Sequence, residues 1–225
     1  MLEPTPLGRL APARGEPAQR VCADAARARL STSVGQTNTD PKMPEQEHGI
    51  AIVPYDPSWP VAFDTEAERL WSALRGLALR IEHHGSTAIP GLSAKPIIDI
   101  QVSVATLGPA ATYGDGLQAL GYVHVPHADD AHCPFFHRPT RWPHTHHVHV
   151  VERGGPEEQR TLAFRDYLRD HPDTAHEYEA LKRALAVRFT GKDPESREAY
   201  AHAKTDFVER VVVLAIARGY PRALS

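Results

Sequence analysis

The chain has 225 residues, 25 Lys+Arg against 28 Asp+Glu, a formal net charge of −3 and a sequence pI of about 6.5. That length suits one good-sized domain able to bury its own core, and that charge leaves no broad electrostatic footprint, so a nucleic-acid partner is not expected. Cys22 and Cys133 are too few and too far apart for a disulfide framework, no apolar run approaches a membrane span, and the first residues lack the basic-then-apolar plan of a signal peptide, so a cytoplasmic protein without membrane contact is expected.

Residues 1–48 are rich in Ala, Arg, Pro, Thr and Gln without a sustained apolar period, and are read as a flexible extension. From Gly49 the texture changes, and residues 49–221 are expected to form the folded domain. Residues 50–53 read as a strand stopped by Asp56-Pro57. Phe63, Leu70, Trp71 and Leu74 repeat at helical spacing, predicting a helix over 60–77. A strand over 79–82 runs into the loop His84-Gly85-Ser86-Thr87-Ala88-Ile89-Pro90-Gly91. Residues 96–104, nearly all apolar around Asp99 and Gln101, read as a central strand. A helix over 109–120 ends at Gly121, and three shorter strands follow over 122–125, 133–138 and 147–152. After Gly154-Gly155 the apolar spacing is helical, with three helices marked by Leu162 to Leu168, Tyr178 to Phe189 and Phe207 to Ala215. The expected class is α+β: a mixed sheet packed against helices, with a helical C-terminal half.

Four constellations could carry chemistry. Gly85-Ser86-Thr87 directly after a strand aims backbone N–H groups and hydroxyls at one spot, as phosphate cradles do; a plain turn is the alternative. Asp99 lies within an apolar strand, where a carboxylate is costly unless it is paired, hydrogen-bonded or metal-bound; Gln101 leaves the same face. A plain bridge from Asp99 to Lys95 or an arginine is the structural alternative. His147 and His149 share one strand face; beside Asp99 and Gln101 they would complete a divalent-ion site or a base with its orienting partner, whereas alone they would line an exposed sheet. Ten of the fourteen histidines fall between His83 and His149, so the enrichment is regional. Finally, Arg165 and Arg169, and likewise Tyr200 and Lys204, stand four residues apart, spaced to share a helix face and to contact an anionic substrate or solvent.

The run from His84 to Leu92, then Ala94-Lys95-Pro96-Ile97-Ile98-Asp99-Ile100, resembles the signature of the GrpB family, as do His147-Val148-His149-Val150, the segment Ala163 to Arg169, and Tyr200 with Ala203-Lys204. The resemblance implies a minimal nucleotidyltransferase core, and some relatives occur fused to dephospho-coenzyme A kinase. It makes Gly85-Ser86 the phosphate turn and Asp99 the first of three acids that hold two Mg²⁺ ions. The second acid's place is taken by Gln101, and the third strand offers His147 and His149 instead of a carboxylate. On this basis Asp99, His84, His149 and Lys95 are the expected catalytic residues. Gly85, Ser86, Thr87, Lys95, Arg138, Arg165, Tyr200 and Lys204 are expected to bind phosphate or substrate. Asp99, Gln101, His147 and His149 would hold a divalent metal, Mg or Mn, with a transition metal as the alternative. The implied ligand is a nucleotide or other phosphorylated small molecule. The alternatives are a catalytically altered binding module that regulates or chaperones a protein partner, and an Asp/His-site enzyme acting on a non-nucleotide substrate in specialised metabolism.

Overall fold

The computed structural model describes residues 49–127 and 130–222, and the expected flexible extension lies outside them. Residues 50–53 form no strand: Val53 makes a single two-bond bridge with Ala94, because Pro54 has no N–H to continue a ladder. Helix α1 (Trp59–Ala73) opens with Pro60 in its first turn and stops short of the expected 77 at a turn where Gly76 has positive φ. There follow β1 (Ala78–His84), a 3₁₀ turn (Ser86–Ala88), β2 (Ile98–Val104), α2 (Ala111–Ala119), β3 (Val123–His124), β4 (Phe135–Arg138) and β5 (His146–Glu152).

The helical half holds four helices where three were expected: α3 (Pro156–Asp170), α4 (Pro172–Arg188), α5 (Pro194–His202) and α6 (Thr205–Ala217). Pro172 separates α3 from α4, since a proline lacks the helical N–H and restricts the residue before it. Helix α5 carries little apolar periodicity; it starts instead on a cap, with the Asp193 side chain accepting from the Ser196 backbone N–H at 2.7 Å. Tyr200 therefore lies on α5 and Lys204 in the α5–α6 junction, not on one continuous helix.

The five strands form one mixed sheet in the order β1-β2-β5-β4-β3, with β2 and β5 parallel and the other neighbours antiparallel. Strand β2 alternates Ile98, Ile100, Val102, Val104 with Asp99, Gln101, Ser103. Its apolar set joins Val148, Val150 and Phe136 beneath Leu70, Leu74, Tyr113 and Leu117 of α1 and α2. Each such side chain removed from water stabilises the fold by about 1.5–3 kcal/mol. A second cluster, including Ala163, Tyr167, Leu168, Tyr178 and Val211, binds α3, α4 and α6 to the loop residues Ile89 and Leu92. The polar set of β2 faces this helical half. Buried Glu158 ties the two together, holding Arg80, the Ser103 hydroxyl and the Gly154 N–H. Cys133 is buried, its Sγ 3.7 Å from His149 Nδ1; Cys22, the other cysteine, lies outside the described residues. Among the described residues no helix is long and apolar enough to cross a membrane.

Candidate functional site

Strand register assembles the site. Antiparallel pairing sets His84 of β1 opposite Asp99 of β2, and parallel pairing sets Asp99 beside His147 and Gln101 beside His149 of β5. Strand β4 adds His137 beside His147 and Phe135 beside His149. Because side chains alternate across a strand, these residues occupy adjacent rungs on the face turned to the helical half.

Asp99 is at the centre. Its Oδ1 lies 3.1 Å from His147 Nδ1, and His147 Nε2 lies 3.1 Å from His144 Nδ1. If His147 Nδ1–H donates to the carboxylate, its Nε2 is placed to accept from His144 Nδ1–H. Burial pushes the Asp99 carboxyl up, but the His147 hydrogen bond, and the attraction of His147, His84 and His149 whenever those rings are protonated, outweigh it and hold the group below the usual carboxylate range. Gly85 makes the close approach feasible: it has φ +69°, and a Cβ there would overlap the Asp99 carboxylate and lie 2.9 Å from its Cβ. Gly85 is thus the residue that lets the turn abut the acid.

The surrounding imidazoles are held neutral. Burial lowers His84 to about 4, opposed by Asp99, and leaves its Nε2 unbonded. Burial likewise takes His149 well below its usual value, and its ring stands 5.1 Å from that of His84. His144, lowered to about 3 chiefly by burial, stacks on His137 at 3.7 Å. A neutral imidazole keeps the lone pair that a metal ion or a proton needs.

These groups open into a cavity of about 530 Å³, lined by His84, Gly85, Ser86, Asp99, Gln101, His147 and His149 on the sheet side. The same cavity is also lined by Lys95, Lys182, Arg197 and Lys204 together with Trp142, Tyr178 and Tyr200. Lys95 Nζ stands 5.3 Å from the Tyr200 ring centroid and 5.9 Å from that of Trp142; Lys204 Nζ is 4.5 Å from the Tyr200 ring centroid. Arg197 lies 4.6 Å over Trp142. Such pairs keep cations in place while leaving their charge for a ligand. Tyr200 Oη and Gln101 Nε2 are buried without partners, whereas Thr161 holds the Gln101 Oε1.

Three expected ligand residues lie elsewhere. Thr87 is buried behind the turn, donating to the Ile97 carbonyl at 3.2 Å and accepting from His83 Nε2 at 3.0 Å. Arg138 points to the opposite sheet face, where it binds buried Glu66 at 2.6 Å, because alternation along β4 sends His137 one way and Arg138 the other. Arg165 is buried between Glu82 and Asp166, both at 2.7 Å, and donates to the His83 carbonyl, so it braces α3 against β1. Conversely, sequence reasoning passed over His137, His144, Trp142, Tyr178, Lys182 and Arg197. The local enrichment in histidine was the available signal for the first two; the others come from loop and helix segments that only the fold brings to the sheet.

The donor set separates the metal alternatives. Asp99, His147 and His149 offer ligand atoms within 4.8 Å of one another, a geometry that fits one divalent ion. One carboxylate with two imidazoles suits Mn, Zn, Fe or Ni better than Mg. It does not fit a centre of two magnesium ions on three acids, since the amide of Gln101 and the two imidazoles stand where carboxylates would be needed.

A family model described as GrpB protein matches residues 49–213. A UPF0157 protein of Pseudomonas aeruginosa is 41% identical over 171 residues, which span 75% of this chain and 68% of the relative. A dephospho-CoA kinase of Mycolicibacterium paratuberculosis is 33% identical over 186 residues, spanning 68% of this chain and 46% of the kinase, less than half its length. The crystal structure of the conserved protein GrpB from Enterococcus faecalis matches with a TM-score of 0.65 at 32% identity, over 75% of this chain and 98% of that one.

Proposed function

From the premise that the chain belongs to the GrpB family, we propose that it is an enzyme acting on a phosphorylated small molecule, in the simplest form a nucleotide, held in the cavity between the polar sheet face and the C-terminal helices. The observation that carries this reading is that one cavity is lined both by the Gly85-Ser86 turn and Asp99 and by Lys95, Arg197 and Lys204 set among aromatic rings. Cations set on aromatic platforms suit a ligand that combines anionic groups with a planar ring. A relative named dephospho-CoA kinase, similar over less than half its length, is in keeping with such a ligand.

In this reading Ser86 and the turn's backbone hold phosphate oxygens, Lys95 offsets their charge, and Trp142 and Tyr200 flank the ring. Asp99, His147 and His149 hold one divalent ion, which when bound supplies charge neutralisation and activation of an attacking hydroxyl. His84, with basicity reduced to about 4, is too weak a base at neutral pH and contributes a hydrogen bond from Nε2 instead. With the ion bound, His147 gives one ring nitrogen to it, and the contacts to Asp99 and His144 orient that ring rather than relay a proton.

One observation favours a second reading, a binding module without turnover: Gln101, fully buried and anchored by Thr161, occupies the second acid's place. A thermal-shift series with ATP, GTP, CTP and UTP, each with Mg²⁺, Mn²⁺ or chelator, tests the main proposal on wild type and Asp99→Ala. A ligand at a hundred times its Kd stabilises the fold by about 2.7 kcal/mol. A metal-dependent shift lost in Asp99→Ala supports the reading, and turnover assays then choose between enzyme and module. No shift with any nucleotide overturns the nucleotide form of the reading.

A further inference from the structure

Lys182 is a buried cation whose surroundings do not complete its bonding. It is 2% exposed, its Nζ donates to the Ser93 carbonyl, and it lies 4.8 Å from the Tyr178 ring centroid. Among the described residues it makes no ion pair: Glu179, one turn away, is held by Arg183 and the Ser93 N–H, and Asp99 by His147. An ammonium has three N–H donors, and a buried charge left without an acid is costly. Yet the side chain lines the cavity together with Lys95, whose charge opposes its own. Tyr178, four residues before it on α4, is hydrogen-bonded to the Ser86 side chain, so one ring links Lys182 to the phosphate turn. Two lysines that repel one another while lining one cavity with a serine turn suit an anionic ligand.

We propose that Lys182, Lys95 and Ser86 form a subsite for the diphosphate group of the ligand, with Lys182 as its buried anchor. This rests on the reading of a phosphorylated substrate and adds the residue that grips it and the group gripped.

A second consequence concerns protons. Burial, opposed by Glu179 and reinforced by Arg183 and Lys95 against a smaller pull from Asp99, lowers Lys182 to about 7. In the empty cavity it is then partly neutral at pH 7. An anion restores the charged form, so binding draws a proton from solution. Arginine at this position would stay charged and draw none.

The experiment is calorimetric titration of inorganic pyrophosphate into the full chain, in chelator, at pH 7, in buffers of different ionisation enthalpy. Wild type is expected to bind with about half a proton more uptake than Lys182→Arg, following a group half-protonated near pH 7. Lys182→Met should bind about tenfold to a hundredfold more weakly, the loss of one charge-assisted bond, while Lys182→Arg retains affinity. Equal affinity and equal uptake in all three proteins overturn the subsite, as does a wild type that binds no pyrophosphate. If nucleotides bind with Asp99 dependence while pyrophosphate ignores Lys182, only this inference fails. Pyrophosphate binding that needs Lys182 without any nucleotide binding sinks the nucleotide reading and leaves the subsite standing.

Discussion

Replacing Gly85 by alanine tests whether the site depends on the turn touching the acid. Gly85 has φ +69° and ψ −169°, a region that residues with a Cβ avoid at a cost of about 1–3 kcal/mol. The new methyl would also sit 2.9 Å from Asp99 Cβ and 3.0 Å from Cγ, an overpacking that costs about 1–3 kcal/mol further. The sum is a loss of about 2–6 kcal/mol, partly relieved by pushing Asp99 away from His147. Gly91→Ala is the control: it too has positive φ, at +79°, but no atom within 4 Å of the added carbon, so it carries the backbone cost alone. Urea unfolding of both variants, with Mn²⁺ affinity measured on each, separates strain from collision. The expected result is a larger stability loss in Gly85→Ala, accompanied by weakened metal binding that Gly91→Ala does not show. Equal losses with unchanged metal affinity would falsify the claim that Gly85 is selected by its contact with Asp99.

Arg138→Ala should destabilise the fold by about 1–3 kcal/mol, because it removes the 2.6 Å partner of a Glu66 that is only 2% exposed and leaves it Arg69 and the Tyr122 hydroxyl, while ligand affinity stays unchanged; intact stability with lost affinity would return Arg138 to the binding site. His83, stacked on Phe63 and lowered to about 4 by burial first and then by the charge of His84, is neutral in the fold. Its unfolded form titrates near 6.5, so the unfolded state binds the extra proton between about pH 6.5 and 4, and stability falls as pH drops through that window by up to about 3 kcal/mol. His83→Gln should flatten that part of a pH–stability curve; an unchanged slope counts against a neutral buried His83. Gln101→Glu places a second carboxylate beside Asp99 and should tighten Mn²⁺ and Mg²⁺ binding by about tenfold or more while lowering metal-free stability. Unaltered metal affinity would mean that the ion does not sit next to Gln101.

The sheet was legible because its strands carry their own signal. In β2, Ile98 to Val104 alternates apolar and polar residues, and the parallel partner β5 repeats the pattern from His147 to Val150, so the meeting of Asp99 and Gln101 with His147 and His149 followed from the two periodicities once the strands were adjacent. Helices α1, α3, α4 and α6 announced themselves by apolar spacing, whereas α5 did not, since a capped nine-residue helix with one buried side chain leaves little period to read. Arg165 and Arg138 were misread for one reason: an arginine in sequence looks alike whether it meets a substrate or a buried acid, and the deciding partners, Glu82 and Glu66, lie 83 and 72 residues away. The cationic lining was invisible for a related reason. Lys182 stands four residues after Tyr178 and three before Leu185, a spacing that puts it on the buried face of α4, but a lysine is ordinarily taken as solvent-facing, and its bond to the Ser93 carbonyl is visible only in the fold.

The most direct measurement is anomalous diffraction from crystals grown with Mn²⁺ and a non-hydrolysable nucleoside triphosphate. The account predicts one manganese peak bounded by Asp99, His147 and His149, phosphate density reaching from Ser86 to Lys95 and Lys182, and the base against Trp142 or Tyr200. Manganese elsewhere, or a nucleotide bound outside this cavity, would contradict it.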